Sequence, residues 1–311
     1  MGKIEAIRHK VRTQAETWGV RGSSHRHIED GLTVVTRLTG ALVRALLVMV
    51  LIATPSLLLP SVGTDAKQMV ALIALFLGAL VMVEYSATYP SLVEFRHAPP
   101  FNRLRFLMLF ITVFLLSVIA RGKTDPTNLT ALVEAVGTLI GRAIDFPYSP
   151  VRLVVLVLPS DIGAEHVSLI RTAAGISYLT SLLTLAIFVL FIRTGNWPGR
   201  DSAFNVWLNL PTFDPTAGGD VVDRLERDAR VNIALGFLLP FLIPAVLKAA
   251  TSGIAPITLS APQMMIWTMA AWSFLPASLF MRGIAMGRVA EMIREKRRQT
   301  GDAASGRLAT A

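Results

Sequence analysis

Six apolar runs of about 20 residues dominate the chain, at roughly 38–59, 67–88, 103–121, 169–192, 231–250 and 262–282. A helix rises about 1.5 Å per residue and the bilayer hydrocarbon is about 30 Å thick, so each run is long enough for one crossing. Inside lipid every backbone amide needs a partner within the protein, and continuous runs of this length meet that need as helices. Composition agrees: 53% of the 311 residues are hydrophobic and only 16% charged, against about a quarter charged in an ordinary soluble domain. The expected fold is therefore all-α, a polytopic membrane helix bundle with about six transmembrane helices.

The net charge of +9 suits either nucleic acid or a membrane protein with basic inner loops, and the positions of the charges decide between them. With the N-terminus cytoplasmic, 22 lysines and arginines fall in the inner segments 1–37, 89–105, 193–230 and the tail from Arg282. Seven fall in outer segments, and Arg44 lies just inside the first span. This bias places both termini inside and removes any need for nucleic acid. Twenty-four arginines against six lysines, with no cysteine, point to a bacterial inner membrane. The missing cysteine also excludes disulfides, thiolate metal sites and cysteine nucleophiles.

The chain divides into an N-terminal cytoplasmic segment (1–37), a membrane domain (38–282) and a basic cytoplasmic tail (283–311). In residues 1–18, Ile4, Ile7, Val11, Ala15 and Trp18 recur at three- or four-residue spacing among lysines and arginines, the pattern of an amphipathic helix on the inner leaflet. At the other end, "MRGIAMGRVAEMIREKRRQ" continues the sixth span as a basic helix, and the final "TGDAASGRLATA" reads as disordered.

Between spans three and four lies the outer segment 122–168. "NLTALVEAVGTLIGRAI" (128–144) has helical periodicity, Asp125-Pro126 is a helix start, and Pro147 and Pro150 break the chain before the short apolar "VRLVVLVLP". The preferred reading is an interfacial helix followed by a short extended piece; the alternatives are a re-entrant pair dipping into the bilayer and a small extramembrane α/β element.

Three groups of residues are candidates for function. Pro240, Pro244 and Pro276 interrupt spans five and six. Pro240 cannot donate to the carbonyl of Gly236, nor Pro244 to that of Pro240, so the freed carbonyls either line a pathway or find neighbours. Arg96, Arg103 and Arg105 sit among aromatics in the first inner loop, and Arg294, Arg297 and Arg298 in the tail, where they would meet anionic inner-leaflet lipid or an acidic partner. Trp197 and Trp207 in the second inner loop read as interfacial or partner-docking residues. In the same loop Asp220 looks like a helix N-cap, and Asp220–Arg224, Asp223–Arg227 and Glu226–Arg230 are spaced for pairs along an exposed helix.

No GxxxxGK[ST], GxGxxG, HExxH or GxSxG motif occurs, and all five histidines lie outside the spans, so no cofactor or metal is expected. Gly137/Gly141 and Gly283/Gly287 are spaced for close helix approach. The expected function is that of a non-catalytic accessory, scaffold or assembly subunit of a membrane complex, touching lipid and other membrane subunits. The alternatives are a transporter or channel using the proline-broken spans, or a lipid-modifying enzyme using Asp214, Asp220 or Asp223 with Arg103 or Arg200.

Overall fold

The computed structural model describes residues 35–195, 197, 204–214, 216, 218–251 and 259–309. The expected amphipathic segment at 1–18 and Arg200 lie outside them, as does the side chain of Trp207. The described residues form helices without strands. In chain order these are α1 (Val35–Leu58), α2 (Thr64–Ser86), α3 (Phe101–Gly122), α4 (Asn128–Ile144), α5 (Pro150–Val157), α6 (Ala164–Thr194), the single turn α7 (Val206–Asn209), α8 (Val221–Thr251) and α9 (Pro262–Ala309). Six of them, α1, α2, α3, α6, α8 and α9, are long and apolar enough to cross a membrane, the architecture of a multi-pass membrane protein.

The centre is built from α3, α6, α8 and α9, with α8 and α9 the most extensively packed pair. They run antiparallel along the line Asp220–Arg297, Ala229–Gly283, Gly236–Phe280 and Pro240–Trp272. Two glycines permit that approach. A Cβ on Gly236 would lie 2.7 Å from the amide nitrogen of Phe280, and one on Gly283 would lie 2.7 Å from the carbonyl oxygen of Ala229. Backbones this close exclude larger residues at both positions.

The helices enclose two apolar cores, one near each end of the bundle. Leu116, Val151, Ile170, Ile266 and Met269 anchor the first, beneath α4 and α5; Phe95, Phe101, Phe188, Trp197 and Met281 anchor the second, at the end where α3 and α8 begin. That second end carries the arginine-rich loops and is called the basic pole below. The hairpin of α1 and α2 is peripheral. α1 reaches the first core through Leu51 and Leu59, and the Gln263 amide donates to the Ser56 hydroxyl at 2.9 Å. α2 packs on α1, where Gly78 seats Met49 and Ala45, and shares no close face with the other described long helices.

Two expectations for the outer and terminal segments need correction. The 128–144 helix forms over the expected residues, started by Thr127 and Thr130 in a capping box. "VRLVVLVLP", expected to be extended, is instead mostly the helix α5: Ser149 accepts the Arg152 amide N–H and Pro150 occupies the first turn, where its missing N–H costs nothing. The last residues, expected to be disordered, continue α9 to Ala309, because extending an existing helix adds one hydrogen bond per residue without a new nucleus.

Candidate functional site

The basic pole concentrates the polar side chains, and its geometry begins with Glu84 in the last turn of α2. Glu84 is buried, and its carboxylate accepts the backbone N–H groups of Ser91, Leu92 and Val93 at 3.0–3.2 Å together with the Ser91 hydroxyl. The loop answers with Arg96, whose guanidinium donates to the carbonyls of Glu84 and Ala87, both at 2.7 Å, and of Thr88 at 3.2 Å. A helix C-terminus leaves carbonyls unpaired and carries partial negative charge, so a guanidinium placed there satisfies both.

Glu94 forms the next junction. Its carboxylate receives Nε and Nη2 of Arg282 on α9 at 2.6 and 2.8 Å, and the Thr212 hydroxyl. This bidentate geometry is the strong form of an ion pair, and only 11% of the Glu94 side chain is exposed. Asn209 joins the two loops, accepting the Phe95 amide N–H at its carbonyl and the His97 amide N–H at its side-chain oxygen. Phe95 sits in the left-handed region at φ 52, unfavourable for a bulky residue. Burial holds it there, with its ring 4.5 Å from Phe101 and 5.9 Å from Trp197.

The residues expected at a lipid or partner surface therefore divide. Arg96 caps α2. Arg103 is exposed. Arg105 lies between the rings of Phe101 and Phe274, at 5.3 and 5.7 Å, with its Nε buried and unpartnered among the described residues. Trp197 lies inside the second core, 3% exposed, donating from its indole N–H to the Ala98 carbonyl at 3.3 Å. An interior position for Trp197 was not legible because Ala98 and Phe95, which hold its indole, lie about a hundred positions away. In the tail, Arg294 pairs with Glu226 and Arg297 with Asp220, tying α9 to the start of α8; Arg298 is exposed. Asp220 and Glu226 thus pair with another helix, where their spacing had suggested partners along their own. The expected N-cap holds, with Asp220 accepting the Val222 amide N–H at 2.6 Å.

Span six and span five continue as helix through Pro276 and through Pro240 and Pro244. The carbonyl that Pro244 frees, that of Pro240, accepts the indole N–H of Trp272 on α9 at 3.1 Å. The cavity at this junction, lined by Tyr178, Ser181, Pro240, Ser273 and Pro276 among others, measures about 80 Å³, well below the roughly 300 Å³ of the smallest usual ligand pockets.

Of the acids offered for chemistry, Asp223 is exposed, and Asp214 and Asp220 have structural work. Asp214 accepts both the amide N–H and the hydroxyl of Thr216, and Asp220 is the cap already described. At the far end Asp145, after α4, lies between Arg152 at 2.8 Å and Arg171 at 2.7 Å. No group of three or more histidine, aspartate or glutamate side chains is placed to hold a metal among the described residues. Sequence reasoning missed Glu94, Asn209, Trp272 and Arg282 as organising residues; only Glu84, an acid near the end of an apolar run, gave a signal. No protein-family model, curated protein or solved structure matches the chain.

Proposed function

We propose that this protein is a non-catalytic integral membrane subunit, an accessory, scaffold or assembly component of a membrane complex, in a bacterial inner membrane with both termini cytoplasmic. The observation that carries the reading is the closure of α8 on α9. The two proline-bearing helices meet backbone to backbone, and Trp272 occupies the carbonyl that a binding pathway would have used. The excess of arginine and lysine in the loops and ends at the basic pole supports the orientation.

The α1–α2 hairpin is the natural place for a second membrane protein. Among the described residues α2 has neighbours on one side only, and Leu72, Phe76 and Val83 on its outer face are 64%, 70% and 62% exposed. Photo-crosslinking residues at Leu72 and Phe76, compared with Leu190 on α6, test this in native membranes. A discrete adduct from α2 alone, and an assembly in native-lipid discs that falls to monomer in the Leu72→Ala/Phe76→Ala variant, are expected. A monomer under all mild extraction conditions overturns the reading. Solute flux in liposomes that changes on Pro240→Ala/Pro244→Ala would replace it with a transporter.

A further inference from the structure

A cleft of about 230 Å³ opens at the basic pole between the first turns of α1, the end of α2 and the loop after it, lined by Thr36, Arg37, Gly40, Arg44, Tyr85, Ala87, Arg96 and His97. Three guanidinium groups and an imidazole face one small space, and among the described residues its lining contains no carboxylate. Glu84, in the last turn of α2, directs its oxygens to the amides of Ser91, Leu92 and Val93. Like charges gather this way at a cost unless an anion completes them.

The cations are also held in place. The Arg96 guanidinium is fixed by the carbonyls of Glu84, Ala87 and Thr88. Arg44 folds back along α1, donating to the Gly40 carbonyl at 2.6 Å, and lies 4.7 Å from the centre of the Tyr85 ring. Gly40 allows that fold, since a Cβ there would sit 2.9 Å from Nη1 of Arg44. Burial first, then the charges of Arg96 and Arg37, hold His97 below the ordinary imidazole value.

We propose that this cleft binds a phosphate oxyanion, carried by an anionic lipid headgroup or a small soluble phosphate ester, with Arg37, Arg44 and Arg96 as its donors. Guanidinium groups match phosphate oxygens in geometry and charge. The volume suits a phosphate with a short ester arm, whereas drug-sized ligands need about 300 Å³ or more. The proposal requires only that the chain lies in a membrane and does not depend on its role in a complex.

The test uses the full chain in lipid discs of phosphatidylglycerol or phosphatidylcholine, with glycerol 3-phosphate as the soluble probe. Retained lipid is read by native mass spectrometry and probe binding by phosphorus NMR. Arg37→Gln/Arg44→Gln is expected to weaken binding at least about tenfold, the worth of one charge-assisted hydrogen bond. Gly40→Ala keeps every charge yet displaces Arg44, and is expected to weaken binding several-fold; Arg193→Gln, at an exposed arginine of α6 outside the cleft, should not. Retention of phosphatidylglycerol without glycerol 3-phosphate binding assigns the headgroup, and the reverse assigns a soluble ester. Absence of binding in both arms, or a loss with Arg193→Gln equal to that of the cleft variant, overturns the proposal.

Discussion

The indole N–H of Trp272 on the Pro240 carbonyl explains how one side chain keeps a proline-bearing helix intact in a dry interior. Trp272→Phe removes the donor and leaves a buried carbonyl, a loss of about 1–3 kcal/mol. Pro244→Ala restores the backbone N–H that this carbonyl lacked, so Trp272→Phe should cost less by about 1 kcal/mol in that background. A double-mutant cycle by thermal unfolding in detergent measures the difference. Glu94 obeys the same logic with charge: Glu94→Gln strands Arg282 in a site where water is scarce and is expected to cost about 3 kcal/mol, whereas Glu94→Gln with Arg282→Gln should recover part of it. His97 shows the effect of confinement on a titrating group. Its Nε2 accepts from Nε of Arg96 at 3.1 Å, and burial, Arg96 and Arg37 all favour the neutral ring, with Glu84 nearby turned towards the loop amides. Its folded pKa therefore lies below the unfolded value of about 6.5. The stability it contributes is complete above that value and is lost as pH falls through the folded pKa; NMR titration against His97→Gln checks the sign.

At the scale of elements, α4 shows what a glycine pattern can encode. A Cβ on Gly175 of α6 would stand 2.6 Å from the Cα of Gly141, and one on Gly137 would stand 2.4 Å from the Ile176 side chain. Gly141→Leu should therefore lift α4 from α6 and raise amide exchange across 128–144 while the spans stay folded. The contact at α8 and the tail is weaker in kind: Arg297 and Asp220 are each about half exposed, and exposed pairs contribute less than about 1 kcal/mol. Asp220→Asn keeps the helix cap and removes the ion pair, so exchange should rise in 290–309 more than at the start of α8. The α4 residues and the six long helices were legible because length, apolar runs and small-residue spacing are local properties of the chain. α5 was misread because a stretch of eight residues, seven of them apolar, is too short to show a distinguishing period, and its helical start depends on Ser149 and Pro150. The polar junctions at the basic pole were illegible for a different reason: Glu94 and Arg282 are 188 positions apart, and no local pattern selects one partner over another.

Across the whole molecule, two cores share one set of helices, and the basic pole is more than a surface of solvated charge. Its loops are folded onto α3, α6, α8 and α9 by buried aromatic rings, and several of its arginines serve as caps and ties. Substitution of Phe95 by Ala removes a side chain that is 1% exposed, with an expected loss of about 3–5 kcal/mol. Because loops 88–100 and 204–214 share that ring cluster, protease sensitivity should rise in both together. Sensitivity confined to one loop would mean that the two fold independently.

α9 is a single helix of 48 residues, about 70 Å from end to end at 1.5 Å per residue. It is gripped by neighbours as far as Ala290; Arg294 and Arg297 then tie it to the start of α8, and its last 12 residues, 298–309, continue past those ties. A rod of this form behaves as a lever with its fulcrum among the packed helices: tilting the gripped part by about 10° would carry the far tip sideways by roughly 3 Å over the last ~18 Å. Motion among the packed helices would thus reach the end of α9 enlarged, along a helix that is continuous through Pro276.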